Sequence, residues 1–124
     1  MTLSKIKFTH VWDKLNDPEF TTMRSWNLGK EKYYHSLLGS EFQVWKIKAK
    51  YPFRTEHVLF HAWLSSVNVL EPKNIPRIVL EKDVSLNGSV DTTWLDKIMK
   101  MDRVIVLNFS KVPVKIQKQL EIDQ

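Results

Sequence analysis

The sequence contains no cysteine, only three glycines and five prolines, and no long apolar run. Without cysteine there is no disulfide scaffold, no thiolate nucleophile and no Cys-ligated zinc, and the chain reads as a cytoplasmic protein. Gly29, Gly39 and Gly88 lie too far apart to build a glycine-rich phosphate cradle. There is no Gly-x-Ser-x-Gly elbow, and the acidic residues show no paired spacing of the kind a two-metal or glycosidase site uses. No stretch approaches the ~20 apolar residues that cross a bilayer, and residues 1–8 hold no apolar core of signal-peptide length. His57 and His61 stand four apart, but on a strand that is ~13 Å, too far to share one ion. The expectation is therefore no metal, no cofactor and no membrane partner.

What is present suits one folded domain. The chain has 124 residues, 43% hydrophobic and 27% charged, enough for a single core. Nineteen basic residues against fourteen acidic ones give a net charge of +5, which favours a polyanionic partner.

In chain order, residues 5–8 read as a short strand. Thr9 can cap a short helix that carries Val11, Trp12 and Leu15 on one apolar stripe. Pro18 ends it. The stretch Phe20 to Trp26 then reads as a strand with Phe20, Thr22, Arg24 and Trp26 on one face and Thr21, Met23 and Ser25 on the other. A guanidinium between hydroxyls and an indole can hold a phosphate, a carboxylate or a planar base. Lys30 to Leu38 has helical spacing, with Gly39 placed as its C-cap.

The clearest strand runs from Glu41 to Tyr51. Trp45, Ile47, Ala49 and Tyr51 share one face, and Lys46, Lys48 and Lys50 alternate on the other, with Arg54 just past Pro52. Such a ribbon suits phosphates; lysines also serve to keep a solvated edge from pairing. A turn leads to a second long strand, His57 to Val69, with Val58, Phe60, Ala62 and Leu64 on its apolar face. Residues 71–88 form an irregular connection. Asp91 or Thr92 then caps a helix with Trp94, Leu95, Ile98, Met99 and Met101 on its apolar side. Arg103 to Phe109 reads as a buried aliphatic strand. A Lys-rich tail, 111–124, follows the domain of residues 1–110.

This order of elements resembles the ASCH family within the PUA-like superfamily. Phe20-Thr21-Thr22-Met23-Arg24 is similar to the family strand Lys-Thr-x-Thr-x-Arg, with Thr22 and Arg24 on its last Thr and its Arg. Glu19 stands where the motif lysine belongs. Gly39-Ser40-Glu41-Phe42-Gln43-Val44 is similar to the family step Gly-Asp-x-Φ-x-Val (Φ apolar), and Thr93 to Phe109 resembles its closing helix and strand. The resemblance implies an α+β fold, a small mixed and mostly antiparallel β-barrel with two or three helices.

The function expected is binding of RNA or single-stranded nucleic acid in a cleft beside the Thr22–Arg24 strand. Thr21, Thr22, Arg24, Ser25 and Trp26 would line it, and Lys46, Lys48, Lys50 and Arg54 would extend an electrostatic track. Two rival readings are kept. One is a small hydrolase, an amidohydrolase or ribonuclease acting on a nucleoside or RNA through Glu19, Thr22, Arg24 and His61. The other is a module for a small nucleotide-like ligand or a partner protein.

Overall fold

The computed structural model describes residues 3–50 and 53–113, except the side chains of 49, 50 and 53. Seven strands, three α-helices and two short 3-10 turns occur among them. The strands are β1 (Ser4–Phe8), β2 (Glu19–Ser25), β3 (Glu41–Lys50), β4 (Phe53–Leu70), β5 (Ser85–Leu86), β6 (Ser89–Val90) and β7 (Val104–Ser110). The helices are α1 (Leu28–Ser36), α2 (Arg77–Asp83) and α3 (Thr92–Met99). The expected turn at Tyr51-Pro52 and the tail beyond Pro113 lie outside the described residues.

Five strands form one sheet in the order β1-β3-β4-β7-β2. Only β1 and β3 run parallel; every other pair is antiparallel. The architecture is thus α+β with a mostly antiparallel sheet, as expected. Val104 to Leu107 of β7 are all buried, which an aliphatic run achieves when both faces of a strand are covered. Leu80 and Val84 near the end of α2, and Leu95 and Ile98 of α3, belong to the same apolar cluster.

The sheet is curled. Phe42 on β3 touches Phe109 on β7 at 5.2 Å between ring centres, although β4 lies between them. Phe60 on β4 likewise reaches Phe20 on β2 across β7, at 5.8 Å. In a flat sheet, strands two apart would be separated by roughly 10 Å. Arg24 on β2 even reaches β1, at the opposite end of the strand order: its Nη2 donates to the Lys7 carbonyl at 3.2 Å and its guanidinium lies 5.1 Å from the Phe8 ring centre. No backbone ladder joins β1 to β2 among the described residues, so by main-chain bonding the sheet stays open.

Several local expectations change. Instead of a helix capped by Thr9, Asp13–Asn16 forms a 3-10 turn with no side-chain cap. Trp12 and Leu15 are buried, but Val11 is exposed, because one short turn offers no second apolar position on that stripe. The helix expected at Lys30 starts at Leu28, where Asn27 Oδ1 accepts from Lys30 N. Gly39 has φ 82°, the left-handed geometry expected after a helix end, and its N–H donates to Leu64. Val58 leaves the apolar face and is exposed, because β7 reaches back along β4 only to Trp63. Met99 of α3 is also exposed.

The connection read as irregular is built. It holds a 3-10 turn at Pro72–Asn74, α2, and the β5–β6 hairpin turning at Asn87-Gly88, both with positive φ. The Asp13 carboxylate clamps this hairpin, accepting from Asn87 N at 2.9 Å and Gly88 N at 2.8 Å. Asp13→Ala is expected to cost about 2 kcal/mol, the scale for hydrogen bonds to a charged group. Denaturant titration should show a lower midpoint with an unchanged slope, and amide exchange should rise first at Asn87 and Gly88.

Candidate functional site

β2 sorts its side chains into two rows, as alternation requires, and only one of them reaches an open cleft. The inner row is Phe20, Thr22 and Arg24. Phe20 and Thr22 are buried, with Phe20 stacked on Phe109 at 5.4 Å. Arg24 is half-buried; its Nε is buried without a hydrogen-bond partner. Burial holds the guanidinium pKa below its ordinary value, against the opposing influence of Tyr34 and Asp83. The Tyr34 hydroxyl is pushed up, chiefly by its own burial.

Ser25 and Trp26 are also engaged within the fold. Ser25 Oγ accepts from Lys30 Nζ at 3.1 Å. The Trp26 indole N–H donates to Glu31 at 2.7 Å, and the Arg103 guanidinium covers its ring at 4.4 Å. The expectation that Trp26 offers a free stacking face is therefore corrected.

The outer row leads to a cleft of about 740 Å³ between β2, β7, the bulged part of β4 and α2. Phe20 and Phe109 give it an apolar floor; Thr21, Ser65, Ser66 and Asn108 supply hydroxyls and an amide; Lys82 and Glu19 stand on its wall. The bulge between Leu64 and Ser66 makes this possible by freeing Ser65 from the ladder. Ser65 Oγ then donates to the Asn108 carbonyl at 2.9 Å, and Asn108 Nδ2 donates to Ser66 Oγ.

At the back of the cleft lies a buried ion pair that sequence reasoning missed. Lys14 Nζ donates to Asp83 Oδ1 at 2.7 Å, and both side chains are nearly inaccessible, at 3% and 5% exposure. Thr21 Oγ1 donates to the same Asp83 oxygen at 3.2 Å, and the Lys14 ammonium lies 5.4 Å from the Phe8 ring centre. Desolvation lowers the Lys14 pKa from its ordinary 10.5, outweighing the attraction of Asp83.

The lysine ribbon does not converge on this cleft. Lys46 Nζ donates to the carbonyls of Thr9 and Ile47, whereas Lys48 is exposed. The Lys50 side chain lies outside the described residues. Arg54 stands opposite Ala49, and Lys48 opposite Thr55, so Arg54 and Lys48 lie on different faces of the hairpin. Arg54 is paired with Glu56 at 2.9 Å. The four residues weighed for a hydrolase are equally dispersed: Glu19 is at the cleft, Thr22 is buried, Arg24 faces β1, and His61 is held by Glu41.

Among the described residues no group of His, Cys, Asp and Glu could hold a metal ion, and no helix is long and apolar enough to cross a membrane. Compared with family models, with curated proteins and with solved structures, the chain matches none.

Proposed function

We propose that this chain is a PUA-like module of ASCH type that binds RNA or another single-stranded nucleic acid, taking one unpaired nucleotide into the cleft beside β2. In this reading the curled sheet is a barrel closed between β1 and β2 by Arg24 rather than by a ladder, and the protein works in the cytoplasm. The observation that carries the reading is the cleft itself. Its volume of about 740 Å³ lies within the ~300–1,000 Å³ of small-ligand pockets. Its apolar floor suits the face of a base, and Thr21, Ser66 and Asn108 suit the polar edge. Lys82 and the net charge of +5 suit the phosphate.

The test is fluorescence anisotropy with labelled single-stranded RNA. The double variant Thr21→Val/Ser66→Ala should bind roughly 10-fold more weakly, since each lost hydrogen bond is worth ~0.5–1.5 kcal/mol. Wild-type affinity should fall as salt rises. Unchanged affinity in the variant would contradict the assignment of the cleft.

One observation favours hydrolysis as a second reading. An amine whose pKa is lowered by burial can act as a base or nucleophile, and Lys14 sits at the cleft beside the Thr21 hydroxyl and the Asp83 carboxylate. Turnover of acylated nucleosides that vanishes in Lys14→Met would establish it. No turnover across a panel of modified nucleosides is the result expected of a binding module.

A further inference from the structure

β4 connects the cleft to a part of the sheet that the binding reading leaves unused. Its pairing with β7 spans only Trp63 to Leu70, and β1 follows β3 only as far as Lys46. Beyond those limits, residues 47–56 of β3 and β4 pair with each other alone among the described residues, as a two-stranded ribbon projecting from the sheet. Alternation along β4 places Ala62 and Leu64 in the core and His57, His61 and Trp63 on the outward side. After the bulge at Ser65, the residue on that side is Ser66, which lines the cleft. Lys46 and Lys48 stand opposite His57 and Thr55, on the same outward face.

This row has the chemistry of a strand-binding surface. Trp63 is half-buried, yet it belongs neither to the core nor to the packed aromatic pairs. His57, His61 and Lys48 are exposed. The segment from 46 to 57 carries Lys46, Lys48, Lys50 and Arg54 against the single acid Glu56, so the charge that favours a polyanion is concentrated here. From Ser66 to His57 the strand runs about 30 Å at ~3.3 Å per residue. That is the length of roughly nine nucleotides at ~3.4 Å each.

We infer that the outward face of β4 is a track for the same nucleic-acid strand, with Trp63 stacking a base and Lys48 meeting a phosphate at the far end. The inference rests on the cleft reading, and predicts that affinity depends on strand length. The probes are uridine monophosphate and oligouridylates of ~4 and ~12 nucleotides, within the site sizes common for single-strand binders. The longer oligomer should bind about 10-fold or more tightly than the shorter, as stacking and phosphate contacts are added. Trp63→Ala with Lys48→Gln should abolish that gain and leave monophosphate binding and melting temperature unchanged. Lys48→Gln with His57→Gln, both at exposed positions, repeats the test without altering an aromatic, and should lose part of the gain.

A length gain that survives both variants overturns the track, and so does a longer oligomer that binds no better than the shorter. Monophosphate binding without any length gain removes the track and keeps the cleft. A length gain that needs Trp63, with no monophosphate binding, removes the cleft and keeps the track. Equal sensitivity of polyglutamate binding to the same variants would assign the face to acidic proteins and overturn the nucleic-acid track.

Discussion

Asp83→Ala should lower stability by about 3–5 kcal/mol at neutral pH, because it leaves the Lys14 ammonium buried without its counter-charge. For a domain of this size that is a fall of roughly 10–20 °C in Tm. The loss has a definite pH dependence. The folded pKa of Lys14 lies below its ordinary 10.5, so between those two values the unfolded chain binds more protons than the folded one. Stability from this group therefore rises with pH across that window, and the cost of holding the charge is fully present below it. Removing Asp83 also removes a cause that raises the Lys14 pKa, so the variant window opens at lower pH. The deficit should then narrow as pH rises and Lys14 gives up its proton. Lys14→Met combined with Asp83→Leu should recover most of the loss, since apolar pairs of similar volume often replace buried ion pairs without penalty. Thermal melts of the three variants across pH decide the matter; a deficit that grows toward alkaline pH would contradict this account.

The second large effect is expected at Arg24. Its side chain joins the two edges of the sheet through the Lys7 carbonyl and the Phe8 ring. A charged hydrogen bond is worth ~1.5–3 kcal/mol and a cation–π contact ~0.5–2 kcal/mol. Against these stands the desolvation that lowers its pKa, including the unpartnered Nε, and truncation relieves that cost. The net expectation for Arg24→Ala is a loss of about 1–3 kcal/mol, or roughly 4–12 °C in Tm. Arg24→Lys should not restore it, because an ammonium cannot both reach the carbonyl and lie flat on the ring. Well below Tm, the variant should bind nucleotide much as wild type does. That makes Arg24 a positioning residue, and a binding loss without any stability loss would return it to the ligand.

How far these roles could be read from the chain depends on the range of the interaction. Alternation in β2 separates Thr21 from Thr22 and Arg24 in the sequence and in the fold alike, because strand geometry is local. The aliphatic run of β7 and the Asp91 cap of α3 were legible for the same reason. Alternation does not say which row faces the core, however. The row carrying Arg24 turned inward because the sheet curls, and curling is set by Phe20, Phe42, Phe60 and Phe109 packing across strands. The cleft needed the bulge at Ser65, which leaves no mark in a Ser-Ser pair. Lys14 and Asp83 lie 69 positions apart, and no spacing rule reaches that far. A trace existed nonetheless. Lys14 sits between Trp12 and Leu15, and Asp83 beside Leu80 and Val84, so each charge interrupts an apolar pattern that is buried. Two opposite charges in apolar stripes are a signal for a buried pair, although not for which partners meet.

Two-dimensional amide NMR of the labelled protein, titrated with uridine monophosphate and then with short single-stranded RNA, tests the nucleotide cleft most directly. The account predicts saturable shifts at Thr21, Ser65, Ser66 and Asn108 with the monophosphate, joined along β4 by Trp63 and His57 with the longer strand. Shifts confined to Arg24, Trp26 and α1, or none at the cleft at any concentration of either ligand, would contradict it.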